Sequence, residues 1–205
     1  GIVGLFLKDK SLEPQLGSML TDMLITMTDR GPDSAGIAIY SGDPQAMSKL
    51  TIQSDTAPEA FEGLAETLSA QLGSTVNIDI KDTHAVLEMS ADQIEAARNA
   101  LNGMPGNLRV MSVGDIIEIY KEVGLPKDVA ARFEIAKMSG SHGIGHTRMA
   151  TESAVTTMGA HPFNTGSDQC LVHNGSLSNH NSLRRKLRRE GVRIETENDS
   201  EVAAA

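Results

Sequence analysis

Four short segments concentrate the polar side chains that reactions on small molecules use. They are RGPDSAG (residues 30–36), GIGHTRMAT (143–151), VHNGSLSNH (172–180) and ENDSE (197–201). Arg148, in the second segment, could grip a carboxylate through two parallel hydrogen bonds, a geometry that a lysine does not offer. Because three of the segments lie in the last third of the chain, their polar residues cluster as in a binding site rather than along a solvated face.

Each segment on its own also has a plainer structural interpretation. RGPDSAG is typical of a turn, and the HNG of the third segment is a common type I′ hairpin signal. Asp199 could serve only as a helix cap, and Arg148 could form only a surface ion pair. Taken one by one, the segments predict no particular reaction.

In this order, the segments resemble the class II glutamine amidotransferase domain of the N-terminal-nucleophile hydrolase family. That family carries Arg-Gly-x-Asp-Ser-x-Gly, Gly-His-Thr-Arg-x-x-Thr, Ala-His-Pro, His-Asn-Gly and Asp-(Ser/Thr)-Glu. This chain has all of them, with Ala-His-Pro at residues 160–162. The opening GIVG is similar to the Gly-Ile-x-Gly that follows the family's catalytic cysteine. The resemblance covers residues 1–40 and 139–205.

The resemblance implies a site that binds and hydrolyses L-glutamine. Arg148 would bind the α-carboxylate of glutamine, Asp199 its α-ammonium, and Thr151 would add a hydroxyl contact. The side-chain amide of Asn174 and the backbone N–H of Gly175 would form the oxyanion hole. One such donor is typically worth ~10²–10³ in rate.

Four further motif residues are interpreted as surroundings of this site rather than as reacting groups. Arg30 and Asp33 are predicted to be scaffolding, and His146 and His161 to be structural neighbours of the catalytic groups. His142 and His146 are four residues apart, but the three glycines of SGSHGIGH argue against a helix there. We therefore expect no metal site.

The nucleophile is the point at which this sequence departs from the family. The family's nucleophile is an N-terminal cysteine whose own α-amine acts as the base, and the sequence here starts at Gly1. We expect that cysteine immediately before Gly1. The alternatives are a non-catalytic subunit that binds glutamine or holds a complex together, and Cys170 as a substitute nucleophile. We reject Cys170, because a free cysteine in an apolar strand usually acts as a small hydrophobic residue.

The elements that must position these residues are predicted from the apolar pattern. GIVGLFL indicates a buried strand, and a Leu/Met stripe from Leu16 to Met27 indicates a helix. Residues 57–72 and 125–138 are each predicted as one helix. From residue 49 to 114 the pattern predicts a ferredoxin-like βαββαβ order with a structural or partner-binding role.

The fold that follows is an α+β fold with two parts. The resemblance implies the N-terminal-nucleophile hydrolase fold, a four-layer αββα sandwich, for residues 1–48 and 115–205. The ferredoxin-like βαββαβ subdomain, residues 49–114, is inserted into it. Because that sandwich normally needs more strands, we expect the chain to continue past Ala205.

Composition excludes several classes of partner. The 205 residues carry a net charge of −9, and phosphate binding needs a basic surface, so nucleic acid is not expected. No apolar run is long enough for a bilayer, so no membrane association is expected either. The single cysteine excludes an internal disulfide, and we expect a cytoplasmic protein.

Family resemblance also implies a partner, because this chain has no second site that could use ammonia. The motifs and the insertion look most like the amidotransferase subunit of glutamate-synthase-like complexes, including the N-methylglutamate synthase type. We expect a hetero-oligomer with no cofactor on this chain, and with FMN and an iron–sulfur cluster on partner subunits. The basic stretch LRRKLRREGVR is interpreted as a solvated helix face, with docking to an acidic partner as the alternative.

Overall fold

A four-stranded antiparallel sheet carries His146 and Arg148 in this computed structural model, which describes residues 1–42, 47–150 and 154–205. The strands of the chain are β1 (Ile2–Phe6), β2 (Ser34–Tyr40), β3 (Ser48–Gln53), β4 (Asn77–Lys81), β5 (His84–Met89), β6 (Arg109–Gly114), β7 (Ile117–Val123), β8 (His142–Arg148), β9 (Phe163–Gly166) and β10 (Gln169–Leu171). The α-helices are α1 (Leu16–Thr26), α2 (Leu64–Leu72), α3 (Ile94–Leu101), α4 (Pro126–Arg132), α5 (His180–Arg189) and α6 (Asp199–Ala204). The sheet order β1-β8-β2-β7 gives β8 a partner on both sides.

Helix α1 covers one face of this sheet. Leu16, Leu20 and Leu24, the leucines of the predicted stripe, are fully buried against the strands. The turn after the helix then passes very close to β8, because a Cβ on Gly31 would lie 2.4 Å from the carbonyl carbon of Thr147. Only glycine lets the RGPD turn pack at this distance.

A second, smaller sheet of β9 and β10 lies on the other side, with α5 and α6 outside it. Its turn is anchored by Asp168, whose carboxylate accepts the backbone N–H groups of Asp115, Ile116 and Ile117 at 2.9–3.0 Å. The layers therefore follow the order helix, sheet, sheet, helix. The predicted αββα sandwich is confirmed.

The elements from β3 to β6 form a separate sheet with the order β4-β5-β3-β6, and all of its neighbours are antiparallel. Helices α2 and α3 pack on it through Leu68, Ala97 and Leu101, against Leu50 and Leu87 of the strands. This is the predicted ferredoxin-like βαββαβ arrangement. The proposed domain limits at residues 49 and 114 stay a prediction.

Two helices predicted as continuous are interrupted. Gly63 and Glu134 both adopt left-handed backbone conformations, with φ of 65° and 52°. A short 3₁₀ turn, Glu59–Phe61, therefore precedes α2, and another, Ile135–Lys137, follows α4. In the described ranges, every helix is too short or too polar to cross a bilayer.

His84 joins the ferredoxin-like sheet to the main sheet. Its ring is completely buried and lies edge-on to Phe133, with ring centroids 4.8 Å apart, beside Tyr120 of β7. Burial lowers the pKa of His84 to about 3, and the positive charges of Lys121 and Arg132 add to this shift. The ring is therefore packed in its neutral form.

Replacement of His84 by phenylalanine should change how stability depends on pH. Unfolded histidine takes up a proton below about pH 6.5 and the buried ring does not, so acid favours the unfolded wild type. His84→Phe keeps the ring packing and removes this loss. The unfolding free energy of the variant relative to wild type should then rise by up to about 1.4 kcal/mol for each pH unit from 6 down to 4.

The measurement is urea unfolding at a series of pH values. Between pH 7 and 8.5 the difference between the two proteins should be constant, because histidine is neutral there in both states. If the unfolding free energies of the two proteins change in parallel down to pH 4, the buried histidine is not neutral as described.

Candidate functional site

Arg148 is the last residue of β8 and lies opposite Ser34 in the β2 pairing. Only 9% of its surface is exposed, and Nη1 donates a hydrogen bond to the carbonyl of Ala154 at 3.3 Å. Burial lowers the pKa of the guanidinium, while the negative charges of Asp33 and Asp199 raise it. The arginine stays charged. The structure thus brings Arg148, Asp33 and Asp199 within electrostatic reach of each other.

Asp33 holds the backbone at and directly after Arg148. Its own N–H donates to the carbonyl of Arg148 at 3.0 Å, and its Oδ2 accepts the N–H of Ala150 at 2.8 Å. These contacts are those of a scaffolding residue. Arg30 ends the 3₁₀ turn Thr28–Arg30 and is exposed.

Asp199 is the first residue of α6 and binds the loop that carries the Asn-Gly motif. Its Oδ2 accepts the N–H of Leu177 at 2.6 Å. The helix cap is Asn198 instead, whose Oδ1 accepts the N–H of Ser200 at 2.9 Å. The capping interpretation of Asp199 is therefore wrong, and its carboxylate instead binds the backbone of the loop that contains Leu177.

Asn174 and Gly175 lie exposed in the loop after β10. They are not the hairpin turn considered from sequence, because the β9–β10 hairpin turns before residue 169. The neighbouring His173 is fixed by a contact of 3.0 Å between its Nδ1 and the hydroxyl of Ser200. A Cβ on Gly175 would lie 2.9 Å from Nε2 of His173, so a larger residue would push this loop away.

His146 and His161 pack against each other, with tilted rings, between the two sheets. Their ring centroids are 4.3 Å apart, and each residue is 4% exposed. Burial lowers the pKa of His146 to about 4 and that of His161 to about 2, with further lowering by neighbouring positive charges. Both rings are therefore neutral at physiological pH.

Gly1 extends the β1–β8 pairing by one residue. Its nitrogen donates to the carbonyl of Thr147, and the N–H of Thr147 donates to the carbonyl of Gly1 at 2.8 Å. A Cβ on Gly1 would lie 2.2 Å from Cε of Met27, at the end of α1. The side chain of Met27 therefore packs directly over the α-carbon of Gly1.

Two other residues considered from sequence lie apart from this cluster or outside the described ranges. Thr151, the predicted hydroxyl contact, falls in residues 151–153, which the structure does not describe. Cys170 is on β10, with its sulfur 3.4 Å from the hydroxyl of Tyr40. Burial raises the pKa of the Cys170 thiol, which makes it a poor nucleophile.

Sequence reasoning missed three buried polar residues near Arg148. Lys121 and Glu122 are adjacent on β7, each less than 10% exposed, and Asn198 donates from Nδ2 to the carbonyl of Gly159 at 2.8 Å. Lys121 and Glu122 share the strand IEIYKEV with Glu118, and three charged residues in seven give no signal that two of them are buried. Asn198 lies within the segment ENDSE, beside Asp199, and nothing in the local sequence marks it as buried.

A cavity of about 510 Å³ opens beside these residues, and its lining includes Ala154, Gly159 and Asn198. This volume is in the range of small-molecule sites. A Cβ on Gly159 would lie 3.5 Å from Nη1 of Arg148, so the cavity and the arginine share one wall. In the described ranges, no three His, Cys, Asp or Glu side chains are grouped to hold a metal ion.

Comparisons with known proteins identify the family of this chain. The profile of the glutamine amidotransferase domain matches residues 133–205. The glutamine amidotransferase-like protein GlxB of Rhizobium meliloti (strain 1021) is 62% identical over 205 residues, which are all of this chain and 68% of that protein. A putative glutamine amidotransferase of Methanothermobacter thermautotrophicus is 33% identical over 98% of this chain and 69% of that protein.

A solved structure shows the same fold. It is described as the allosteric regulatory enzyme of purine biosynthesis, and it matches 99% of this chain with a TM-score of 0.54 at 17% identity. The chain spans only 28% of that enzyme, so the likeness concerns the fold alone. Together with the two relatives that match nearly the whole chain, this likeness confirms the resemblance drawn from the motifs. The chain belongs to the glutamine amidotransferase family, and its fold is the class II, N-terminal-nucleophile hydrolase type.

Proposed function

We propose that this domain hydrolyses L-glutamine to L-glutamate and ammonia on a cysteine immediately before Gly1. The observation that carries this proposal is the register of β1 against β8. Gly1 lies opposite Thr147, so in an antiparallel pair the preceding residue comes opposite Arg148. Opposed residues share one face of the sheet, with Cβ atoms about 4.5–5.5 Å apart.

That face is the interior one. Arg148 and His146 are two residues apart on β8 and therefore point to the same side, where His146 meets His161. A cysteine before Gly1 would place its thiol on this face, beside the arginine. Gly1 itself faces the opposite side, under Met27.

The charges around Arg148 suit the head group of an amino acid. The guanidinium would bind the α-carboxylate, and Asp199 would attract the α-ammonium. Asp33 keeps the strand end in place through the backbone. The positive charge of Arg148 at the end of β8 and the negative charge of Asp199 at the start of α6 support this division of roles.

The reaction then follows a thioester route. The α-amine of the cysteine takes the thiol proton, the thiolate adds to the side-chain amide carbon of glutamine, and ammonia leaves with that proton. The N–H₂ group of Asn174 and the N–H of Gly175 would stabilise the negative oxygen. Water cleaves the γ-glutamyl thioester and releases glutamate.

We further propose that ammonia passes to a glutamate-synthase-like partner in a cytoplasmic hetero-oligomer, with FMN and an iron–sulfur cluster on partner subunits. The surface of α5 supports docking to an acidic partner. Arg185, Lys186 and Arg189 are exposed there on a chain of net charge −9. Arg184, in contrast, is buried and bound to Asn181 and to the carbonyl of Asn198.

The first experiment tests the nucleophile. N-terminal sequencing and intact mass of the natural protein should find a free cysteine before Gly1. Its replacement by alanine should lower glutamine hydrolysis at least about 10⁴-fold and leave glutamine binding in place. Ammonia release and calorimetric binding measure the two effects. Absence of that cysteine, or hydrolysis that survives its replacement, would favour a binding or structural subunit instead.

Arg148→Ala should weaken glutamine binding by ~2–5 kcal/mol, the usual cost of breaking a buried charge contact. The affinity of Arg148→Lys for glutamine should lie between those of Arg148→Ala and wild type, because a lysine keeps the charge but not the bidentate geometry. Isothermal titration gives both affinities. Arg98→Ala is the matched control, since Arg98 pairs with Glu95 on the exposed face of α3. Equal affinity in the Arg148 and Arg98 variants would remove Arg148 from the site.

Asn174→Ala should lower kcat by ~10²–10³ and change KM little, because the oxyanion forms only in the transition state. Steady-state ammonia release separates the two constants. A variant with normal kcat would show that Asn174 is only part of an exposed loop.

A further inference from the structure

The ammonium group of Lys121 binds three backbone carbonyls of one short segment. Lys121 is 3% exposed, and its Nζ donates to the carbonyls of Met158, Ala160 and Pro162 at 3.1, 2.8 and 3.2 Å. It also lies 4.5 Å from the centre of the Phe163 ring. All three donors of the ammonium are therefore used on residues 158–162, here called the 158–162 segment.

Neighbouring side chains hold the same stretch of chain. The hydroxyl of Thr157 donates to Glu122, which follows Lys121 on β7. The carbonyl of Gly159 accepts Nδ2 of Asn198. Two elements far apart in sequence, β7 and the start of α6, thus fix the path of the 158–162 segment.

The 158–162 segment is also the wall behind the arginine. A Cβ on Gly159 would lie 3.5 Å from Nη1 of Arg148. His161, two residues further along the chain, packs against His146 of β8. A shift of this segment by even half an ångström would change the space around the guanidinium.

A buried ammonium is a costly way to fill a core position. Burial lowers the pKa of Lys121 to about 7, against the raising effect of Glu201 and Glu195. An apolar side chain of similar length would pack there without desolvation cost. The charge of Lys121 is therefore better explained by the backbone carbonyls that it orients than by a contribution to the stability of the fold.

We propose that Lys121 is a positioning residue of the glutamine site, holding the 158–162 segment where Gly159 and His161 shape the pocket around Arg148. This inference rests on the proposed glutaminase function. Lys121 does not touch the expected substrate, the nucleophile or the oxyanion donors. Its loss should therefore affect the binding of glutamine more than the chemical step.

The test compares Lys121→Met with Lys49→Met in the full-length protein. Lys49 is the matched control, because it is also buried, and its Nζ binds Glu118 of the same strand β7 at 2.6 Å, away from the 158–162 segment. Both variants should lose thermal stability. Only Lys121→Met should raise KM for glutamine at least about tenfold with kcat within about threefold of wild type, and Lys121→Gln, which keeps two N–H donors, should lie between.

An unchanged KM in a folded Lys121 variant would overturn the proposal. Three other results would also overturn it: an equal rise of KM in Lys49→Met, a fall in kcat alone in Lys121→Met, or the failure of both Lys121 variants to fold. Each of these results would assign Lys121 another role. The wild-type measurement separates the two proposals. If the wild-type protein neither binds nor hydrolyses glutamine, both proposals are wrong. If it binds glutamine without turnover, only the proposed hydrolysis is wrong, and the variants are then compared by their dissociation constants for glutamine instead of KM.

Discussion

The site depends on the pairing of β8 with strands on both of its sides. Hydrogen bonds to β1 and β2 fix the register, so that Gly1, Asp33 and Arg148 arrive at one end of the sheet. A slip of one residue would turn Arg148 to the face covered by α1. Chain segments far apart in sequence meet at this strand end because the backbone ladder places them there.

Around that strand end, buried and half-buried polar side chains are bonded to the backbone. Asp33 binds the N–H of Ala150, Asp199 binds the N–H of Leu177, and Lys121 binds carbonyls of the 158–162 segment. Backbone groups cannot change rotamer, so such contacts fix loops more firmly than contacts between two long side chains. The loops of the site are thereby tied to strands and helices.

Sequence alone predicted the family, the sandwich and the ferredoxin-like order, because five ordered motifs and clear apolar periods carry that information. It could not predict Lys121, since a charged residue in a strand has no local feature that says whether it is buried. The cap at Asn198 was missed for a related reason, because Asn and Asp are both good caps and only the geometry separates them. The interruption at Glu134 is likewise a tertiary effect, because glutamate favours continued helix.

The ferredoxin-like elements leave and rejoin the main sheet at neighbouring positions. Tyr40, at the end of β2, lies opposite Ile117, at the start of β7, and Ser41 donates its N–H to the carbonyl of Ile116 at 2.8 Å. The βαββαβ unit therefore connects β2 and β7 as a hairpin loop would, and its length does not affect the register in which these two strands pair. Evolution can enlarge, shorten or exchange a module at such a junction while Arg148 and its neighbours keep their places at the far end of the same strands.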